Sequence, residues 1–379
     1  MRKLLKNNAV QSLIASLICI LLGLLIGYIV LLFINPAGAS KAIMDIIKNF
    51  FNYSRSNLQL KHFGTTLVKT APLLMCALSV LFAYKVGLFN IGVAGQYVAG
   101  ACASIYAALA WGWSWLPCML FAAFAGAVLG FIVGLLKAYR NVNEVISGIM
   151  LNWIGLYTTN MLLSKVQETG GNHTRDMTSA AHSAILPSIG LDKMLNNRFI
   201  TIAIPLSVLF ALLVWVILEK TKLGYELKAT GFNRNAAKYS GMAEHRNIIL
   251  TLMMAGALAG LGASLFYQTG HEQWTCTASS VPNMGFNGIA ATFLGGLNPI
   301  GTIFSSFFIQ HITEGGAHLD LKLYSPQISS LISSIIIYLC GFVLFMKHAM
   351  TNAINKREDR ERHEKLAAEQ AAGQKGGEA

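Results

Sequence analysis

The chain has 379 residues, of which 54% are hydrophobic and only 12% are charged, and its formal net charge is +12. A soluble domain carries about 25% charged residues, and several apolar runs here approach or exceed the roughly 18 residues that span a bilayer. The sequence therefore predicts an all-α polytopic membrane protein. It does not indicate a nucleic-acid-binding protein, because most lysines and arginines fall in loops and tails, where membrane topology explains them.

The apolar runs predict about ten transmembrane helices (nine to eleven), one of which is short and interrupted by glycine and proline. The first run is about 25 residues long, which exceeds a signal-peptide core, so we expect it to span the membrane. The predicted spans are residues 10–34, 63–84, a run ending at 110, 117–136, a run opening at 143, 199–218, 248–267, 285–299, 300–313 and 328–346. In the fourth span Gly126, Gly130 and Gly134 recur at every fourth position, which predicts a close contact with another helix.

The positions of the basic residues predict the topology. Lysine and arginine are concentrated in residues 1–9, 137–143, 219–247 and 347–379. Because basic loops stay in the cytoplasm, we expect cytoplasmic N- and C-termini. Residues 1–346 then form a transmembrane domain with external loops 35–62 and 165–198, the first of which contains an amphipathic surface helix. Residues 347–379 form a charged cytoplasmic tail with a partly disordered end.

Three amide side chains fall at membrane depth. Asn90 and Gln96 lie among glycines at the start of the third span, and Asn152 lies inside the fifth. An unpaired amide in hydrocarbon is costly, so these groups either bond to neighbouring helices or line a hydrated path. Both possibilities stay open. Glu144, at the inner mouth of the fifth span, is expected to cap the helix N-terminus, where negative charge is favoured. A proton-carrying role is the alternative.

The segment 285–299 is apolar but too short for an ordinary span, and it is bounded by glycines and by Asn298-Pro299. Such interrupted segments are the best sequence pointer to a permeation path. A broken helix exposes backbone groups, which are tolerated only inside protein or beside water. The candidate translocation path consists of Phe89, Asn90, Gln96, Asn152, Phe286 and Asn287.

The polar segment 219–247 is the longest charged stretch between two membrane-length apolar runs. Within it, Asn233 is a plausible N-cap and Gly241 a plausible stop for a short helix. A short helix on the positive side of the membrane is well placed to contact a soluble partner. The alternative is that its lysines and arginines only orient the flanking helices.

Several kinds of chemistry are missing from the sequence. It has no GxxxxGK[ST] motif for nucleotide phosphates, no GxSxG or HExxH motif, and no Cys/His spacing typical of a zinc site. Buried acids are few, which argues against a proton-driven carrier. We therefore expect that the chain is not an enzyme and binds no metal or cofactor. Energy for uphill transport would come from a partner.

Four stretches, taken together, resemble the permease subunits of bacterial ABC importers in the branched-chain amino acid and simple-sugar permease superfamily. They are most similar to nucleoside (purine-type) importer permeases. The stretches are GLFNIGVAGQ at 87–96, NEVISGIMLNW at 143–153, LGYELKATGFNRNAAKYSGM at 223–242 and GFNGIAATFLGGLNPIG at 285–301. The occurrence of all four in order carries the resemblance.

The resemblance implies a path for a nucleoside or related ribosyl solute in a bacterial plasma membrane, with ATP used by partner ATPase subunits. It also implies a second, homologous permease paired as a heterodimer, and an external substrate-binding lipoprotein. The chain is expected to contact membrane lipid and to bind no nucleic acid. Segment 219–247 matches the family's ATPase-coupling segment. The residues that fall on its pattern are Gly224, Ala229, Gly231, Asn233, Ala236, Ala237, Tyr239 and Gly241.

One position departs from the family pattern. Where the family commonly has glutamate in FNIGxEGQ, this chain has Ala94, so any role of that acid is absent here. A simple-sugar permease is the near alternative. From other classes, a stand-alone channel or secondary carrier would transport without an ATPase, and a membrane-embedded enzyme would need a nucleophile or metal constellation that the sequence does not show.

Overall fold

The computed structural model describes residues 8–320 continuously, followed by 322–324, 328, 331–332, 334–335, 338–339, 341–343, 345–353 and 356. The regular structure of these residues is helical, apart from two isolated β-bridges. Six helices of the described chain are long and apolar enough to cross a membrane. The predicted all-α polytopic membrane fold is therefore confirmed.

The longer helices are numbered in chain order. They are α1 (Asn8–Ile34), α2 (Ala39–Lys48), α3 (Ser56–Lys85), α4 (Val93–Trp111), α5 (Trp115–Arg140), α6 (Glu144–Leu163), α7 (Ala203–Lys220), α8 (Lys222–Phe232), α9 (Arg234–Tyr239), α10 (Glu244–Tyr267), α11 (Asn283–Leu294) and α12 (Pro299–Gly315). Single turns of helix cover Asn49–Asn52, Ser164–Val166, Met177–Ala180, His182–Ala184, Leu191–Met194 and Gly316–His318.

Helix α10 is the centre of the bundle, because it packs against α3, α4 and α5. Glycines let the backbones touch. A Cβ atom added at Gly126 of α5 would overlap the carbonyl oxygen of Gly256, and one at Gly130 would overlap that of Leu252. Gly134 meets α10 one turn further along. The predicted glycine stripe is therefore confirmed as a helix contact of the kind that small residues permit in membranes.

The bundle has an enclosed interior and one basic end. In the most apolar stretch of α3, 89% of the residues are buried, whereas in the most apolar stretch of α1 only 22% are buried. Helix α3 is therefore an inner helix and α1 a peripheral one. Helices α3, α5 and α7 finish at Lys85, Arg140 and Lys220. These three helix ends, together with α8 and α9, form the basic end of the bundle.

The segment predicted to be short and interrupted folds as a broken pair of helices. Helix α11 has 12 residues, a length of about 18 Å that cannot cross a hydrocarbon core of about 30 Å. The chain then turns through Gly296 and Leu297, which have φ angles of +65° and +57°. Asn298 caps α12 by accepting a hydrogen bond from the Ile300 amide at 2.9 Å, and Pro299 occupies the first helical position.

Some predicted boundaries were wrong. Helix α3 begins at Ser56 and α10 at Glu244, several residues before the predicted 63 and 248, whereas α7 begins at Ala203 instead of 199. Hydropathy marks the hydrocarbon layer, but a helix continues into polar sequence where its backbone bonds are satisfied. The predicted surface helix in loop 35–62 is present as α2, which buries Ala39 on one face.

The predicted total of about ten spans stays a prediction. Helix α6 has the length of a span but is not among the six apolar candidates. The predicted span 328–346 is described only in part. Of the predicted tail 347–379, the structure describes residues 347–353 and 356, and the rest lies outside the described residues.

Replacing Gly130 with leucine should separate α5 from α10, because the new side chain would collide with the Leu252 backbone. We expect a loss of about 1–3 kcal/mol in unfolding free energy, as for other overpacked interiors. Thermal denaturation in detergent measures this effect. The control is Val128→Leu, which adds bulk to an exposed position of the same helix. Equal melting temperatures for the two variants would contradict the contact.

Candidate functional site

Two of the candidate path amides bind each other. Asn90 lies in the loop between α3 and α4, Gln96 lies in the first turns of α4, and both side chains are buried. Asn90 Nδ2 donates to Gln96 Oε1 at 2.8 Å and to Ser79 Oγ of α3 at 3.0 Å. Gln96 Nε2 donates back to Asn90 Oδ1 at 3.2 Å. Hydrogen bonds of this kind meet the need of polar groups that have been removed from water.

The third amide ties α6 to the start of α4. Asn152 Oδ1 accepts a hydrogen bond from the Gly95 amide at 2.7 Å, and its Nδ2 donates to the Ile91 carbonyl at 3.1 Å. A Cβ atom at Gly95 would lie 2.7 Å from Asn152 Cα, so this approach requires glycine. Of the two possibilities that the sequence left open for the three amides, the structure shows bonding to neighbouring helices.

The other path candidates are more open. Phe89 and Asn287 are half-buried, and Phe286 exposes 38% of its surface. Phe286 and Asn287 lie on α11, which packs on α4 where Gly285 faces Ala94. The structure therefore brings Asn90, Gln96 and Asn152 into one cluster. It places Phe286 and Asn287 on a neighbouring broken helix.

The contact between α11 and α4 also gives a physical reason for the alanine at position 94. Ala94 is completely buried, and a Cβ atom at Gly285 would lie only 2.6 Å from its Cα. A glutamate in this place would need both space and a partner for its charge. The departure from the family pattern thus coincides with a close helix crossing.

Segment 219–247 folds into two helices, of which the sequence predicted only the second. Asn233 Oδ1 accepts a hydrogen bond from the Ala236 amide at 3.0 Å, and Gly241 has a φ angle of +79°, so the predicted cap and stop of α9 are confirmed. The preceding helix α8 was missed. Its signal is Thr221, whose Oγ1 accepts from the Gly224 amide at 3.1 Å.

Bonds to the bundle fix the position of this segment. Arg234 Nη2 donates to the Ala138 carbonyl at the end of α5 at 3.3 Å. Asn247 Nδ2 of α10 donates to the buried Thr230 Oγ1 of α8 at 2.8 Å. The segment is therefore held against two of the helices that form the core.

Helix α8 also touches the loop that leads to the amide cluster. A Cβ atom at Gly231 would overlap the carbonyl oxygen of Val86, and the neighbouring Gly87 has a φ angle of +75°. Asn90 follows three residues later. One short stretch of chain therefore connects the basic end with the buried amides.

The eight pattern residues differ in exposure. Gly224 and Ala237 are buried, and Ala229 is half-buried. The exposed members are Gly231, Asn233, Ala236, Tyr239 and Gly241. Tyr239 is 93% exposed, and Phe232 at the end of α8 is 96% exposed. Large exposed aromatic groups are typical of surfaces that bind a partner.

The prediction for Glu144 was wrong. The N-cap of α6 is Asn143, whose Oδ1 accepts from the Val145 amide at 2.8 Å. Glu144 is the first residue of the helix, and it pairs with Lys137 Nζ at 2.8 Å. The side-chain cap of α6 thus comes from Asn143, and Glu144 acts on the positive helix end through its charge.

An ion pair at the opposite end was not foreseen. Lys69 Nζ of α3 lies 2.8 Å from Glu314 Oε1 of α12, and Gln310 Nε2 donates to the same oxygen at 3.2 Å. Burial and the charge of Lys69 lower the pKa of the nearby His271. The two charges are 245 positions apart in sequence, and only the helix packing brings them together.

Comparison with known proteins identifies the family. Residues 63–341 match the family described as the branched-chain amino acid transport system permease component. The chain belongs to this family. The resemblance found in the four stretches is thereby confirmed.

This permease has similar relatives with named substrates. It is 31% identical over 344 residues to the nucleoside ABC transporter permease protein NupB of Lactococcus lactis subsp. cremoris, covering 88% of this chain and 91% of the relative. It is 31% identical over 333 residues to the guanosine ABC transporter permease protein NupP of Bacillus subtilis (86% and 92%). The glucose ABC transporter permease protein TsgB13 of Haloferax volcanii is 26% identical over 308 residues (78% and 80%). No solved structure matches the permease.

Replacing Asn152 with leucine should leave the Gly95 amide and the Ile91 carbonyl without their partner. Each unsatisfied buried group costs about 1–3 kcal/mol, so we expect a clearly lower melting temperature in detergent. Tyr157→Leu serves as the control, because it changes an exposed residue of the same helix. If the melting temperature of the Asn152→Leu permease equals that of the wild type, these bonds contribute nothing to the stability of the fold.

Proposed function

We propose that this permease is the path-forming subunit of an ATP-driven importer for a nucleoside or related ribosyl solute. The observation that carries the importer assignment is the segment 219–247, in which a capped helix is anchored to the bundle and presents an exposed Tyr239. The nucleoside assignment is supported by NupB and NupP, which match 88% and 86% of the chain.

The proposed coupling route begins at α9, where the ATPase subunit docks. A movement of the docked helix passes to α8, whose Gly231 contacts Val86, and from there into the loop that carries Asn90. ATP can shift the arrangement of the permease only through contacts that differ between two states. A change in the contact between Gly231 and Val86 would move the loop that carries Asn90, and so transmit the change of state to the amide cluster.

In the proposed cycle the amides exchange partners. Asn90 and Gln96 would replace some of their mutual bonds, and Asn152 its bonds to backbone groups, with bonds to the hydroxyl and amide groups of the solute. Exchange of one neutral hydrogen bond for another changes the free energy little, so the solute is held weakly and can leave. The exposed ring of Phe286 would supply an apolar surface for a base.

The topology and partners complete the proposal. We assign the permease to a bacterial plasma membrane, with the basic end and both termini in the cytoplasm, in accordance with the positive-inside rule. A second, homologous permease would form the other half of the path, and an external lipoprotein would deliver the solute. This chain itself would be neither an enzyme nor a cofactor carrier.

A simple sugar is the alternative substrate, which the similarity to the glucose permease TsgB13 favours at lower identity. Both substrates carry hydroxyl groups that suit uncharged amides. A stand-alone channel or secondary carrier would have no use for the anchored helix α9. The capped and exposed segment therefore favours an ATP-driven importer.

Ala237→Pro should abolish transport while leaving the permease in the membrane. The Ala237 amide donates to the Asn233 carbonyl at 3.0 Å, and proline would remove this bond and break α9. The measurement is solute uptake in cells, with membrane content determined by blotting. Ala237→Ser keeps the amide and should transport normally. Wild-type uptake by a well-expressed Ala237→Pro permease would refute the docking role.

The substrate proposal is tested by ATPase activity of the permease co-purified with its partner subunits and binding protein. We expect nucleosides to stimulate hydrolysis, and ribose or other sugars to have little effect. Stimulation by sugars alone would favour the alternative substrate. Solute movement by the purified chain without any ATPase would overturn the importer assignment itself.

A further inference from the structure

The basic end of the bundle contains an open cleft of about 370 Å³ beside the first residues of segment 219–247, to which the proposed transport function assigns no ligand. Lys85, at the end of α3, lines it together with Trp215 and Lys220 of α7 and with Asn298, at the start of α12. Its volume falls at the lower end of the range of about 300–1,000 Å³ that holds small ligands. The cleft therefore has room for a phosphate group with a small attached moiety.

Positive charge dominates the cleft. Glu219 is the only carboxylate among the lining residues that the structure describes, and it pairs with Lys228 at 3.0 Å. Lys85 interacts electrostatically with that glutamate, but also with Lys228 and Lys347. Within the described residues, neither Lys85 nor Lys220 has a carboxylate oxygen within 4.0 Å of its ammonium group. Two lysines thus line one cleft without a direct ion pair to a described carboxylate, and Glu219 beside them is paired with Lys228.

The geometry of Lys220 directs its charge to the cleft. Its ammonium nitrogen lies 5.6 Å from the ring centroid of Trp215, which also lines the cleft. A cation over an aromatic face is attracted to the ring, and this attraction limits the positions of a long flexible side chain. A ligand then meets a pre-oriented ammonium group, which reduces the entropy cost of binding.

The surroundings suit a ligand with an apolar part. Pro299 lines the cleft, and the next turn of α12 carries Ile300 and Phe304, which are 41% and 72% exposed. These two residues are four positions apart and therefore lie on the same face of the helix. An apolar strip on α12 thus begins beside the cleft.

We propose that this cleft binds an anionic phosphate group through Lys85 and Lys220. The phosphate can belong to an anionic phospholipid, whose acyl chain would follow Ile300 and Phe304, or to a soluble phosphate compound. Basic pockets between membrane helices bind lipid headgroups by this chemistry. The binding requires no ATPase or transported solute, so its test does not depend on the proposed function.

The test compares wild-type permease with Lys85→Gln/Lys220→Gln in neutral detergent. Dioleoylphosphatidylglycerol and inorganic phosphate are titrated separately, and bound probe is measured by native mass spectrometry and by the melting temperature. Each lysine near a lipid phosphate contributes enough to change affinity about fivefold, so the double variant should bind about 25-fold more weakly. The control Lys222→Gln/Lys238→Gln removes the same charge from exposed positions outside the cleft, and should bind like the wild type.

The two probes separate the two sources. Weakened binding of phosphatidylglycerol alone assigns the cleft to lipid, and weakened binding of inorganic phosphate identifies a soluble ligand; both results support the proposal. Equal binding by the wild type and the double variant, or no binding of either probe to the wild type, overturns it. Lys85 is half-buried, so the double variant could unfold. The single variant Lys220→Gln changes an exposed residue and is therefore measured too; its affinity for the probe is expected to fall about fivefold.

Discussion

Backbone contact along α10 is the constraint on which the rest of the structure depends. Between membrane helices, lipid is as apolar as the side chains, so burial alone does not hold them together, and packing must do so. Glycine provides this packing against more than one neighbour of α10. Gly256 meets Gly126 of α5, and Gly260 meets Gly100 of α4. Three helices are thereby fixed around one axis. The first turn of α10 also carries Asn247, which bonds to α8, so the same helix positions the segment at the basic end.

One piece of chain connects the candidate path with the proposed coupling segment. The stretch 86–96 begins at Val86, against which Gly231 of α8 rests, and ends at Gln96, which binds Asn90. Helix α10 bonds to α8 through Asn247 and packs on Gly100 of α4, whereas the loop before α4 contains glycines and no regular helix before Val93. Movement at the basic end therefore has a short physical connection to the amides. The connection consists of packed backbone, which has discrete arrangements and deforms little.

Local chemistry was predictable from the sequence, and pairing across the fold was not. The cap at Asn233 and the stop at Gly241 depend on residues within one turn, so sequence alone identified α9. The glycine stripe at Gly126 revealed a contact but not its partner, because spacing describes one helix only. The ion pair between Lys69 and Glu314 depends on the register of two helices that sequence does not give. The short helix α8 was missed because it follows α7 almost directly and has too little apolar periodicity of its own.

In the proposed path, the hydrogen bonds that the three amides make bear on which solutes this permease can accept. A buried amide that loses its partner costs about 1–3 kcal/mol, so a solute enters the cluster only if it replaces the bonds it displaces. An apolar solute cannot do so, and a charged solute would find no compensating ion among Asn90, Gln96 and Asn152. Position 94 supplies no compensating charge either, because it is a buried alanine that packs against Gly285. The proposed path therefore favours neutral solutes with several hydroxyl or amide groups, and this preference follows from the cost of unpaired polar groups without any charged contact.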